Sequence, residues 1–240
     1  MSENISTRQR SYKIKKMVMI ALFCALAFII VFVFRLKVLF LTFDAKDAVI
    51  ALAGLLFGPA ASLLISLVVA TLELGISDTG IYGAIMNFIS SATFSCTVSL
   101  IYKYKRNIKG AVIGLVSAVF TTSAVMMIFN LLITPLFMKS TVSEVAALIP
   151  TLLLPFNFTK SVLNAALVLV LYKPISRAMK GIGVLLCDKE NKEKTRDEIL
   201  RSRITGITVL VCGCLLVVIS ILVFVFVLGG KLSFFLSFEI

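Results

Sequence analysis

Lys160 calls for a chemical explanation because it lies inside an otherwise apolar run of this 240-residue chain. A lysine near the centre of a membrane-spanning helix costs about 2.5–3.5 kcal/mol on insertion scales, so its presence implies a partner or a task. Asn157 stands three positions earlier, in Pro155-Phe156-Asn157-Phe158-Thr159-Lys160. On a helix that spacing puts a carboxamide and an ammonium on one face. Two donors on a common face suit a ligand that carries carbonyls or ring nitrogens. Two other readings need no ligand: Lys160 snorkels to the nearer interface, or it pairs with a loop carboxylate such as Asp44.

Asn130, Asn87 and Glu73 each lie near what counts as the same end of their apolar runs. Singly, each is explained by a hydrogen bond between helices, worth about 0.6 kcal/mol. Together they outline a pocket whose remaining wall is Phe40, Phe43, Phe156 and Phe158, the mostly apolar make-up of small-molecule sites. In the first apolar run Ala21 and Ala25 are four apart, with Ala27 nearby, among bulky Leu, Ile, Val and Phe. Small residues at that spacing let a second helix approach closely, either within the chain or from a partner.

Other chemistry is excluded by what the chain lacks. It has no His and no Trp, which removes His-based metal sites and any Ser-His or Cys-His pair. Its five cysteines form no C-x-x-C pair; Cys24, Cys96, Cys212 and Cys214 fall in apolar runs and read as small packing residues, and Cys187 lies in a charged segment. The stretch Gly229-Gly230-Lys231-Leu232-Ser233 lacks the first glycine and the strand-to-helix context of an ATP-binding loop. Paired intramembrane acids of the kind used in proton relays are not evident. No catalytic residue, metal site or cofactor is expected, and an enzyme acting on lipid would need clustered acidic ligands or a nucleophile with its base. A scaffold whose polar groups only join helices remains an alternative to a binding protein.

The elements that must position these groups are membrane spans. The chain is 60% apolar and 15% charged, against about 45–50% and about 25% in soluble domains. A crossing takes roughly 20 apolar residues, and apolar runs fall at 17–34, 48–58, 59–74, 83–102, 111–134, 150–172 and 204–228. The run at 48–58 is short for a full crossing. It joins the next at Phe57-Gly58-Pro59, a helix stop followed by a residue suited to a first helical turn. Loops are expected at 35–47, 75–82, 103–110 and 135–149, and the fold class is an all-α polytopic membrane helix bundle. The formal net charge of +12 reflects topology rather than nucleic-acid binding, because the basic residues sit between apolar runs. Of the 24 Lys and Arg, 18 fall on the side of the N-terminus and five on the other. The positive-inside rule then places the N-terminus in the cytoplasm and the C-terminus outside.

The run Leu41-Thr42-Phe43-Asp44-Ala45-Lys46-Asp47, then Leu56-Phe57-Gly58-Pro59, then Asn130 with Pro135-Leu136, then Leu154 to Lys160, resembles the riboflavin-specific substrate-binding (S) components of energy-coupling factor transporters. The likeness extends through about residue 180. It implies a bacterial cell-membrane protein in which six helices hold riboflavin, as transported ligand, near the outer face under the loop that follows the first helix. A transmembrane coupling subunit and two cytoplasmic ATPases would supply energy, with Ala21 and Ala25 as the docking face on the first helix. Position by position, the resemblance implies substrate contacts from Leu41, Thr42, Asp44, Glu73, Asn87, Asn130, Asn157 and Lys160, with Asn157 and Lys160 on the polar edge of the flavin ring. The third run ends Ala70-Thr71-Leu72-Glu73-Leu74, without the Lys-Asn pair expected of relatives, so Glu73 is the candidate acceptor for ligand hydroxyls. Another flavin such as FMN, or another vitamin, is the alternative ligand.

The expected organisation is a basic N-terminus at 1–16, a six-helix binding domain at 17–180, a charged linker at 181–203, a seventh span at 204–228 and a tail at 229–240. That seventh span is an addition to the family pattern, as a peripheral anchor, a partner contact or the mark of a different flavin.

Overall fold

The first helix, α1 (Ser2–Val33), starts well before the apolar run expected at 17. Lys, Arg and Gln are good helix formers, so the basic N-terminal segment extends the helix rather than ending it. The structure, a computed structural model, describes residues 2–33, 36–38, 40–77, 79–181, 208 and 211–223. On α1 the stripe Phe23, Ala27 and Val31 is buried while Met17, Leu22, Ile29 and Phe32 are exposed, one face for the bundle and the rest for lipid.

The loop expected at 35–47 is a hairpin followed by the start of a helix. Strands β1 (Leu36–Val38) and β2 (Leu41–Phe43) pair antiparallel, with Leu36 opposite Phe43 and Lys37 opposite Thr42. Helix α2 (Lys46–Phe57) is buried from Lys46 through Leu55 and packs against α1, α3, α4 and α7. A helix apolar on every side belongs in a core, and here it is the central rod. The Phe57-Gly58-Pro59 break forms as expected: Gly58 has φ 95°, a conformation that favours glycine, and Pro59 opens α3 (Pro59–Glu73). At 12 and 15 residues, α2 and α3 are shorter than a full crossing.

Helices α4 (Gly80–Tyr104) and α5 (Ile108–Met138) follow. The loop expected at 135–149 is mostly helical. Pro135 is tolerated near the end of α5, which runs on to Lys139 at φ 53°. Thr141 and Glu144 then form a reciprocal capping box that starts α6 (Val142–Leu148). A π-helical turn at Ile149–Leu153 leads into α7 (Leu154–Gly181). A further apolar helix, α8 (Val211–Val223), falls within the run expected at 204–228 and, like α3, is shorter than a full crossing. Among the described residues, Arg10–Val33, Gly80–Tyr104, Ile108–Met138 and Val142–Ala178 are long and apolar enough to cross a membrane. The charged linker beyond Gly181, the tail at 229–240, Asp78 and Cys187 lie outside the described residues. Cys212 and Cys214 are exposed rather than packed, in contrast to the sequence expectation.

Small residues set the spacing of α2, α3 and α4. A Cβ on Gly54 would stand 3.0 Å from the Cβ atoms of both Ser62 and Ser99. The serines along these faces satisfy themselves: Ser66, Ser95 and Ser99 each donate to the carbonyl four residues earlier, at 2.6–2.9 Å. Gly54→Val therefore overfills this junction and should destabilise the detergent-purified protein by about 1–3 kcal/mol. Thermal unfolding beside the lipid-facing control Leu63→Val checks this; equal midpoints for the two variants would contradict it.

Candidate ligand-binding site

Five ionisable side chains meet in the bundle interior, at the end that carries the hairpin. Asp44, Lys46, Asp47, Glu73 and Lys160 are all buried, none above 5% exposed. Lys160, on α7, donates to Asp44 Oδ2 at 3.0 Å and to the carbonyl oxygen of Thr42 at 3.2 Å. Lys46 donates to Glu73 Oε1 at 2.5 Å and lies 3.8 Å from Asp44 Oδ2. Glu73 Oε2 accepts from Asn87 Nδ2 at 2.5 Å, and Ser91 donates to Asp47. In the loop ahead of α2, burial by itself would push the Asp44 carboxyl up, but the Lys160 and Lys46 ammonium groups outweigh it and hold the carboxyl below its usual range.

Asn164 completes the junction. It lies one turn beyond Lys160, donates to the Asp44 carbonyl at 3.1 Å and accepts from the backbone N–H of Ala48 at 2.8 Å. The residue before α2, Ala45, supplies no side-chain cap; Asp44 Oδ1 accepts from the Lys46 N–H at 3.3 Å, and Asn164 of α7 provides a second acceptor for the first turn of α2.

Above this junction, between the hairpin and helices α4, α5 and α7, lies a cavity with a mixed polar and apolar lining, the make-up of small-molecule sites. Leu41 and Thr42 reach it from the hairpin, Asn87 and Ser90 from α4, Asn130 and Thr134 from α5, and Phe156, Asn157 and Lys160 from α7. Two of the three N–H bonds of Lys160 are engaged, which leaves one donor. Asn157 donates to its own helix at the Leu153 carbonyl, 2.8 Å away. Asn130 is held by Met126 and Thr134, at 2.7 and 2.9 Å. The amides are thus fixed in orientation before any ligand arrives. Phe40, Tyr82, Phe137 and Phe156 supply flat apolar wall.

Six expected contact residues therefore share one cavity: Leu41, Thr42, Asn87, Asn130, Asn157 and Lys160. Asp44 and Glu73 are not on its wall; they stand behind it, holding Lys160 in one case and Lys46 with Asn87 in the other. Glu73 is thus already committed to two donors rather than presented to a ligand. Of the four expected phenylalanines, Phe40 and Phe156 line the cavity. Phe43 is buried edge-on against Phe156, with ring centroids 5.9 Å apart. Phe158 is 39% exposed and packs on Phe120 at 6.0 Å, because it lies one residue past Asn157 and faces away. Of the two readings of Lys160 that need no ligand, pairing with Asp44 occurs, and it coexists with cavity exposure.

Sequence reasoning missed Lys46 and Asn164. Lys46 falls in the stretch expected as a loop at 35–47, yet it opens α2 and is 1% exposed. Asn164 carried a signal, four residues after Lys160 and so on the same face. Thr134 and Ser90 follow Asn130 and Asn87 at helical spacing in the same way.

A cavity walled by fixed amides and aromatic rings, at one end of a bundle with several membrane-crossing helices, defines a membrane-embedded small-molecule-binding protein. The chain belongs to the family of ECF transporter substrate-specific components, whose pattern matches residues 15–172. It is 29% identical over 177 residues to "Riboflavin transporter RibU" of Staphylococcus aureus (strain TCH60), covering 70% of this chain and 94% of that protein. It is also similar to the solved structure described as "Structure and mechanism of the S component of a bacterial ECF transporter", with a TM-score of 0.60 and 28% identity over 70% of this chain and 99% of that one.

The buried pair can be tested without ligand. Asp44→Asn or Lys160→Met alone leaves a buried charge short of its partner, a loss of about 3–5 kcal/mol. The double variant should lose less than the sum, with a coupling of about 0.5–3 kcal/mol in thermal unfolding. Strict additivity would show that the two groups do not stabilise one another.

Proposed function

We propose that this chain is a riboflavin-binding membrane subunit that takes riboflavin into the cell together with an ATP-driven energy-coupling module. The observation that carries the reading is the cavity itself, in which Asn157 and Lys160 share one wall with fixed amides and with Phe40, Phe137 and Phe156. The isoalloxazine ring is flat and apolar on its faces and needs both donors and acceptors along its carbonyl and N3–H edge, which this mixture offers. Further support is the similarity to a protein named as a riboflavin transporter.

In this reading the bundle has six core helices and one added helix, with the N-terminus cytoplasmic, the cavity near the outer face and α8 leading outward. Ala21 and Ala25 are exposed on α1, so that face is free for a transmembrane coupling subunit, and two ATPase subunits would act through it. The protein itself has no catalytic role. Asp44 and Glu73 serve by holding Lys160, Lys46 and Asn87 rather than by touching the ligand. The ion pair also bears on which flavin is taken. Among the described residues Lys160 is the cation on the wall, and it is already neutralised by Asp44, so a phosphate finds no unpaired positive charge.

Titration of the purified protein with riboflavin, read as quenching of flavin fluorescence, should saturate at one site; no saturable binding would reject the proposal. Lys160→Ala and Asn157→Ala should each weaken binding at least tenfold, about 1.4 kcal/mol. In competition titrations FMN should bind at least about tenfold more weakly than riboflavin, and equal affinity would contradict the neutral-site argument.

A further inference from the structure

We propose that α8 is a brace for the ligand cavity, and that Gly213 and Val217 are positioning residues for the hairpin wall. The helix lies beyond residues 15–172, the part that matches the family, so no function comes to it from that comparison. Its own contacts supply one. Gly213, Val217 and Ser220 fall at helical spacing; Gly213 and Ser220 are buried and Val217 is half-buried, while Leu215, Val218, Ile219 and Leu222 are exposed. One narrow stripe thus faces protein and the remainder faces lipid.

The stripe has a defined seat. A Cβ on Gly213 would come within 2.8 Å of Val170 Cγ2, 3.3 Å of the Ala166 carbonyl oxygen and 3.6 Å of Leu169 Cβ on α7. The close approach therefore requires glycine at this position. One turn further on, Val217 packs against the cluster of Phe43, Phe156 and Leu163. Positions along α7 fall as positions along α8 rise, so the two helices run antiparallel and α8 climbs toward the hairpin.

That cluster is the reverse side of the cavity wall. Phe156 lines the cavity directly, Phe43 belongs to β2, and Leu41, which packs on the same cluster, also reaches the cavity. A two-stranded hairpin is marginal by itself. Here β2 is fixed on one side by the Lys160 bond to the Thr42 carbonyl and on the other by this apolar cluster. Val217 adds to the second attachment from outside the family domain, and Gly213 sets the depth at which Val217 sits. Loss of the brace frees the hairpin, and a freed hairpin opens the cavity.

The consequence for ligand rests on the riboflavin reading above; the consequence for the hairpin does not. The experiment compares full-length Gly213→Leu, the milder Val217→Ala and the lipid-facing control Ile219→Ala. Without ligand, amide hydrogen exchange across residues 41–43 should quicken at least about fivefold in Gly213→Leu and less in Val217→Ala, with Ile219→Ala unchanged. With riboflavin bound, the dissociation rate should rise at least about fivefold in Gly213→Leu, with a much smaller change in association rate. A general loss of stability would speed exchange in α4 and α5 as much as in the hairpin, and that result overturns the proposal. So does wild-type hairpin exchange in Gly213→Leu, or in Val217→Ala should the leucine variant not fold. Failure of the wild type to bind riboflavin would reject the ligand reading, while the exchange measurement still decides the brace.

Discussion

Burial of two lysines and three carboxylates within a lipid-embedded bundle is the constraint to which the rest of the architecture answers. An unpaired charge in that setting is costly, and a paired one is tolerated only when geometry and extra hydrogen bonds are good. The pairs here join elements distant in sequence: Asp44 to Lys160 across 116 positions and Lys46 to Glu73 across 27. Because Asp44 follows β2 directly, satisfying its charge also fixes where the hairpin lies. Because Lys46 and Asp47 open α2, satisfying theirs fixes the height of the central rod. The cavity is the space left between a hairpin held down at Thr42 and Asp44 and the ends of α4, α5 and α7.

Holding α2 in the centre requires its neighbours to come close. Gly54 against Ser62 and Ser99, and Gly114 with its Cβ position 3.1 Å from the Val98 carbonyl oxygen, permit that approach. Lipid tails are as apolar as leucine, so attraction between helices comes from packing and hydrogen bonds rather than from water exclusion. The serines suit both demands: they are small, and their hydroxyls bond to their own helix. Close packing below and ionic ties above make α2 rigid, and its rigidity supports the floor of the cavity.

Much of this was legible in residue types. The apolar runs give the helices, Gly58-Pro59 gives the break between α2 and α3, and Asn157 with Lys160 gives one wall of the cavity. Pairing was harder to read, because it depends on distances between remote segments. A lysine next to an aspartate in a polar stretch looks solvated, and only the approach of Glu73 shows that Lys46 is interior. The hairpin escaped notice because its strands have three residues each, too few to display alternation. Helix α6 opens on Thr141 and Glu144, a capping signature that stands inside the stretch expected as a loop at 135–149. Phe158 shows the opposite error: composition drew it into the pocket, whereas a helical step of one residue turns it to lipid.

The same ties that build the site limit how it can release what it holds. A ligand leaves readily only if the protein reaches a second state that binds it less well, and the gap in affinity between the states must come from somewhere. In this chain the hairpin is fixed from three directions, by Lys160 to Thr42 and Asp44, by Asn164 to the Asp44 backbone, and by the apolar cluster at Phe43. Opening by thermal motion alone would uncover Asp44 and Lys160 together, leaving each to find new partners at the membrane surface. Work from an external module can be applied without breaking those bonds if the bundle moves as a body and the hairpin travels with it. An ion pair that ties the hairpin to α7 therefore resists local opening and is indifferent to rigid motion of the bundle.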